Sequence, residues 1–573
     1  MYLVESLSTV KSALLVCDLP AADDIMTEFF TRFLALAQAP LAKNLELGIS
    51  DILVQLVDEC EEVPAGVTEA LLGALQGDAG SAEPAEGTAG AARIAAGVCR
   101  ATQDRLQRHV AHYFSEAIAE AQDEEDEDAA SRRAALERVH MHIVRVCAAA
   151  PSLLISVVPQ LEEELRAEVV QVRHLATHTL GAMFGHVPAL GAERRAGGVA
   201  RMFPPTWRAW LARATDRSAA VRTEWIARAA DVLVQYAELA EELVPVLAAR
   251  LTDPDERARA AVAAAVGALD YEALCHTVPT SLLQELAERG KDRRAAVRDA
   301  ALGALARAYS LGYPELERGG DAAAERAFAW IPAALLRCCY TGVPEVTASV
   351  AAAVDAHVLP APGPGAEALD AWTTRLLHVA APLDEDTFAG LLALTNLRLA
   401  RPSAYDAFVA ACERKGAGDE LASAVRACAA ALGGDVARAA ADLAALAERA
   451  DRGVLQALKR CFDPRTPLQE SAKARADVLG RVRALDPALV ETMRGVVRGG
   501  AYPILNVAVV LPLLAAARPG GSWCVAARLL RYVGKEAPQL LAPHAAEIRT
   551  RALESGAALP LELLARLAAH RAH

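Results

Sequence analysis

A short motif that returns three times at one spacing does more than any other feature to restrict how this 573-residue chain can fold. Asp216-Arg217-Ser218-Ala219-Ala220-Val221-Arg222 is followed by Asp253 to Arg259 and by Asp292-Arg293-Arg294-Ala295-Ala296-Val297-Arg298. Each is an Asp with an Arg six residues on, inside an apolar helical pattern. The terminal arginines recur after 37 and then 39 residues, and a looser copy without the Asp, Val172-Arg173, precedes Arg222 by 49. A period near 40 residues is that of a two-helix unit, which cannot bury its apolar face alone and stacks on a neighbour of the same kind. One continuous array therefore replaces the several globular domains that length alone suggests.

Composition points the same way. Apolar residues make up 53% of the chain and aromatics only 5%, so much of the apolar share is alanine, the best helix former and small enough for close helix packing. The expected fold is all-α: a HEAT-repeat α-solenoid, curved or hook-shaped, whose long surface suits binding better than catalysis. The first array spans residues 1–360. Surface loops are expected near 77–90, rich in Gly, and near 122–130, where Asp123 to Asp128 is an unbroken acidic run. Pro159 is placed to start a helix and Gly185 to stop one, while Pro204-Pro205 reads as a breaker ahead of Trp207 and Trp210. Pro360, Pro362, Gly363, Pro364 and Gly365 interrupt the array, and more divergent helical repeats continue over 366–573.

The formal charge of -14 argues against wholesale adhesion to nucleic acid, which needs a basic face. No apolar stretch approaches the roughly 20 residues that cross a bilayer. No secretory leader is visible either, so a soluble protein is expected. The eleven cysteines include no Cys-x-x-Cys pair, which fits buried free thiols in a reducing compartment.

The recurring Asp and Arg have a structural use. The Asp is expected to cap the second helix of each unit, and the Arg, nearly two turns on, to reach the Asp of the adjacent unit. Asp216, Arg222, Asp253, Arg259, Asp292 and Arg298 would then form a ladder that sets register along the array. Lys291, Arg293 and Arg294 differ, because three basic residues crowd one turn between helices and make a candidate patch for an acidic peptide.

Catalytic patterns are absent. His174 and His178 lie four apart on one helical face, but Leu175, Ala176 and Thr177 between them supply no further ligand. His140 and His142 point to different helix faces. There is no Gly-x-Ser-x-Gly elbow, and Gly290-Lys291 lacks the flanking residues of a phosphate loop. No cofactor, metal, small-molecule substrate or enzymatic activity is expected.

Four segments resemble, in order, stretches of the "precocious dissociation of sisters" family of cohesin-associated proteins. They are Tyr2-Leu3-Val4-Glu5-Ser6-Leu7-Ser8-Thr9-Val10-Lys11-Ser12; Arg105-Leu106-Gln107-Arg108-His109-Val110 with Tyr113-Phe114; Leu153 to Glu162 with Gly181-Ala182-Met183-Phe184-Gly185; and Trp330-Ile331-Pro332 with Leu335, Leu336 and Tyr340. The likeness covers residues 2 to about 340. It implies a HEAT-repeat hook that binds the kleisin subunit of cohesin and, with a Wapl-type release factor, maintains and releases sister chromatid cohesion on chromatin in the nucleus. The family's members are longer, so the chain resembles an internal portion, without the N-terminal segment that receives short peptides. The kleisin contact is expected on the face near Lys291, Arg293 and Arg294 and the segment carrying Trp330, Arg337 and Tyr340. The rival readings are a transport or trafficking adaptor with basic or apolar cargo, and a regulatory subunit that holds an enzyme.

Overall fold

The computed structural model describes residues 23–37, 42–76, 89–123, 129–186, 197–398, 402–414, 419–517, 523–555 and 557–572. The opening segment 2–12 lies outside them, as does most of the two expected loops, at 77–88 and 124–128. Regular structure among the described residues is entirely helical. No helix there is long and apolar enough to cross a membrane. The chain divides into two compact units, Met1–Ala265 and Val266–His573.

In the first unit helices pack in pairs, Gln103–Asp123 on Ala129–Ala149 and Val170–Phe184 on Ala219–Gln235. Pro159 stands in the first turn of Val158–Glu164, where a missing N–H costs nothing. Pro204-Pro205 does the same for Pro204–Leu211, and the break expected ahead of Trp207 and Trp210 falls there, since the preceding helix ends at Met202. Gly185 ends Val170–Phe184 and donates its N–H to the Gly181 carbonyl at 3.0 Å.

These elements close around four aromatic rings. Trp207 and Trp210 stack with centroids 5.2 Å apart, Phe184 meets both edge-on at 5.1 and 5.4 Å, and Trp225 lies 5.4 Å from Trp210. Their polar edges are satisfied: Trp207 Nε1 donates to Glu242 and Trp210 Nε1 to the Thr177 carbonyl. Gly181 allows the close approach, because a Cβ there would come within 2.5 Å of the Arg228 side chain.

The Asp–Arg motif fixes register by a route other than capping. Asp216 stands two residues ahead of Ser218, the N-cap of Ala219–Gln235, and accepts that residue's N–H at 2.8 Å. Asp253 takes the N–H of Asp255, and Asp292 that of Arg294. Each Asp thus folds the turn before the helix and leaves the helix end itself uncapped by its side chain. The Arg six residues on returns to the same turn. Arg222 Nη1 donates to the Asp216 carbonyl, Arg259 Nη1 to that of Asp253, and Arg298 Nη1 to that of Asp292.

The guanidinium's remaining nitrogens reach the next repeat. Arg222 forks onto both oxygens of Asp253 at 2.8 and 2.6 Å, and Arg173 onto both of Asp216 at 2.9 and 3.0 Å. Both pairs are buried, with side-chain exposure of 9% and 0% for the first and 3% and 2% for the second. Burial works to raise the two carboxyls, and the hydrogen bonds from arginine and backbone outweigh it, holding both below the ordinary Asp range. Arg298 has no such partner among the described residues, and its Nε is buried without a hydrogen bond. The sequence explains this, since Thr341 stands where the next repeat would carry the Asp.

A second buried polar pair lies on Ala129–Ala149. His140 Nδ1 pairs with Thr179 Oγ1 at 2.9 Å, and its Nε2 lies 3.4 Å from Glu164, whose two oxygens have no hydrogen-bond partner among the described residues. His142, two residues on, faces elsewhere and meets the Leu72 carbonyl at 2.9 Å. Burial pushes His140 down to about 4 and Glu164 up to about 7. Between pH 4.5 and 6.5 the unfolded chain holds one proton, on histidine, and the folded pair also holds one, so the pair contributes almost no pH dependence there. Glu164→Gln removes the compensation. The variant, whose folded His140 stays neutral, is expected to lose about 2 kcal/mol more than the wild type between pH 7 and pH 5, at about 1.4 kcal/mol per pH unit below 6.5. Parallel melting curves in denaturant at the two pH values check this.

The second unit begins as a regular file: Thr280–Glu288 with Ala295–Arg318, then Ala295–Arg318 with Ile331–Arg337 and Pro344–Ala353, and Ile331–Arg337 with Glu385–Ala393. After that, neighbours in sequence stop being neighbours in space. Ala366–Ala380 packs on Val510–Ala516 and Trp523–Glu536, more than a hundred residues downstream. Tyr532 donates to the Leu392 carbonyl, and Arg528 lies over the Phe388 ring at 3.8 Å. The intervening helices, Ala404–Arg414 through Val490–Gly500, gather around a core of their own that includes Phe408, Cys428, Leu443, Leu458, Val478 and Met493. This lobe leans on the file through Arg475 on Asp355 at 2.9 Å and Asn396 on the carbonyls of Arg498 and Ala501.

Candidate partner-binding site

The residues singled out as a partner contact fall on successive turns of the second unit. Arg289–Lys291 forms a short 3-10 turn, Asp292 turns the backbone, and Ala295–Arg318 follows. Lys291, Arg293 and Arg294 are exposed. Lys291 lies 3.7 Å from Glu288 on the surface, an arrangement worth little to stability and so cheap to reorganise.

The next turn, Cys338–Thr341, lies against the first: a Cβ on Gly290 would come within 3.1 Å of Cys338 Sγ. It carries Tyr340, 53% exposed, and follows the exposed Arg337. Arg337 reaches Asp384 at 3.5 Å and the Tyr340 hydroxyl donates to Asp386 at 3.1 Å. Asp384 is the N-cap of Glu385–Ala393, where bonds from Thr387 hold its carboxyl below the usual range. Lys291, Arg293, Arg294, Arg337 and Tyr340 thus line one edge built from inter-helix turns. Trp330 is set apart from Arg337 by the length of Ile331–Arg337, about 10 Å. It is half-buried, and its indole N–H has no hydrogen-bond partner among the described residues.

Asp384 and Asp386 were not picked out from sequence. His174 and His178 both turn to Glu224, at 3.6 and 2.7 Å. Among the described residues no three acidic, histidine or cysteine groups are placed to hold a metal.

The chain matches the family model described as "Sister chromatid cohesion protein PDS5 protein" over residues 1–571. It belongs to the PDS5 family. It is 30% identical over 356 residues to the "Sister chromatid cohesion protein pds5" of Schizosaccharomyces pombe, a match covering 61% of this chain and 28% of that protein. Against human "Sister chromatid cohesion protein PDS5 homolog A" the identity is 26% over 342 residues, covering 59% and 24%. These matches take in only about a quarter of the PDS5 relatives. A solved structure described as "Structure of the Pds5-Scc1 complex and implications for cohesin function" aligns with 96% of this chain and 82% of its own, at a TM-score of 0.65 and 19% identity. The likeness takes in the stretch beyond 360, where sequence resemblance was weakest, and supports the expected all-α HEAT-repeat fold.

Proposed function

We propose that this chain is the part of a PDS5-type cohesin regulator that grips the kleisin subunit. It is a non-catalytic scaffold that helps to maintain and to release sister chromatid cohesion on chromatin in the nucleus. The observation that carries this is the family match along the whole chain, together with the likeness to a structure solved as a Pds5-Scc1 complex. The edge of Lys291, Arg293, Arg294, Arg337 and Tyr340 is the proposed contact, with a Wapl-type release factor as a second partner of the longer protein. An exposed cluster of cations beside a tyrosine, on a chain whose net charge is -14, suits an acidic stretch of the partner. In the proposed organisation the array 1–360 presents this edge and 366–573 continues it. A transport adaptor has nothing on its side beyond the shared architecture.

Charge reversal tests the contact. The triple variant Lys291→Glu, Arg293→Glu, Arg294→Glu is expected to weaken binding of a kleisin fragment by about tenfold or more, mainly through slower association. Its melting temperature should not move, because exposed substitutions usually stay within about 0.5 kcal/mol. Unaltered affinity in titration calorimetry would place the contact elsewhere.

A further inference from the structure

Where the lobe 404–500 leans on the file of helices, the second unit encloses a cavity of about 390 Å³. Its walls are largely apolar, with Leu394, Leu432 and Ile504 among them, and that size lies within the range of ligand-binding pockets. The space is a product of small residues. Val490–Gly500 turns Gly495 and Gly499, four apart, toward Leu432 and Tyr405, and Ala348 and Ala351 face in from Pro344–Ala353. A Cβ on Gly499 would come within 2.3 Å of the Tyr405 ring, so that wall is shaped for close approach. Asn396, the one described non-glycine residue with positive φ, at 59°, anchors the end of the same helix with its amide.

The charges in this cavity do not balance. Asp355 is taken by Arg475, which donates to its two oxygens at 2.9 and 3.0 Å. Arg498 has only the Ala348 carbonyl, at 3.2 Å, and no carboxylate forms an ion pair with it among the described residues. Burial works against its charge and lowers its pKa. Asp355, Glu491 and Asp299 favour its charge only from beyond ion-pair distance, and a second arginine, Arg475, stands in the same wall; a cation so placed in a largely apolar recess is complementary to an incoming anion. The mouth is open at the exposed Gly342, Pro344 and Ala431, beside Val343, a valine 42% exposed. Gly342 follows the turn that carries Tyr340, so the apolar rim runs on from the edge described above.

We propose that this cavity is a docking pocket for a polypeptide partner, taking an aliphatic side chain and pairing the partner's adjacent carboxylate with Arg498. The occupant is an acidic-aliphatic segment whose main chain continues across the rim at Val343. This goes beyond the kleisin reading and does not depend on which protein supplies the segment.

The test uses the whole chain with methyl labels on Ile, Leu and Val, titrated with N-acetyl-Leu-Leu-Asp amide and with the Asn and Lys forms of the same tripeptide. The Asp peptide is expected to bind near millimolar, about tenfold or more tighter than the Asn form, shifting the methyls of Ile504, Leu432 and Leu394. Arg498→Gln should erase the preference for Asp. Because that change touches a partly buried group, Ala351→Leu is the second variant, expected to fill the space and weaken all binding about tenfold with melting unchanged. Equal affinity for the three peptides, or shifts confined to other methyls, would overturn the assignment. Octanoate binding more tightly than the Asp tripeptide would also overturn it, in favour of a lipid-like ligand. Loss of kleisin binding in the charge-reversed edge variant, with peptide shifts intact, would keep the two sites distinct.

Discussion

Arg222→Ala is expected to cost about 3–5 kcal/mol, because it strands the Asp253 carboxylate in a site where that side chain has no exposure. The Arg250 guanidinium, 3.1 Å away, and the Asp255 N–H remain, so the carboxylate is under-satisfied rather than bare. The paired change Arg222→Met with Asp253→Leu should cost less than either single replacement, since a buried ion pair is worth little net once both members are gone. A double-mutant cycle in denaturant reads the coupling directly. If the two single costs simply add, the forked contact holds no register between the repeats.

Trp210→Ala comes next in size. It removes a fully buried ring from between Trp207, Phe184 and Trp225 and leaves the Thr177 carbonyl without its indole donor. A loss of about 3–5 kcal/mol is expected. In a stacked array the damage should be local, since each repeat leans chiefly on its neighbours. Hydrogen exchange in Val170–Phe184 and Ala219–Gln235 is expected to accelerate about a hundredfold or more, while Lys43–Glu59 changes little. Uniform acceleration along the first unit would mean that it opens as one cooperative block.

These two sites show what a sequence of this kind discloses. The Asp-to-Arg spacing was legible because both residues serve one turn. The Asp folds it, and the Arg, six residues on, bonds the same turn's carbonyl and so points at the neighbouring repeat. Capping was the wrong mechanism, because Asp216 lies two residues before the N-cap and spends its carboxylate on the turn. Pro204-Pro205 was legible for a related reason: a proline pair marks a helix boundary, and here it parts Gly198–Met202 from Pro204–Leu211. The departure of 404–500 from the file left no trace in the pattern. An apolar stripe reports that a helix is buried on one face, not which partner buries it.

The candidate edge was partly legible for similar reasons. Crowded basic residues in a turn are exposed almost by necessity, and Lys291, Arg293 and Arg294 are. Tyr340 sits at helical spacing from Leu336, which is buried, yet it falls in a 3-10 turn past the helix end and reaches Asp386 at the surface. The cavity around Arg498 had no local signature at all, since its walls come from segments more than a hundred residues apart.

Hydrogen exchange of the whole chain, measured with and without a saturating kleisin fragment, tests the proposed contact most directly. Slowed exchange concentrated in 289–294 and 337–342, and absent in the charge-reversed variant, is the expected result. A kleisin fragment that binds while those two turns exchange at their free rates would contradict it.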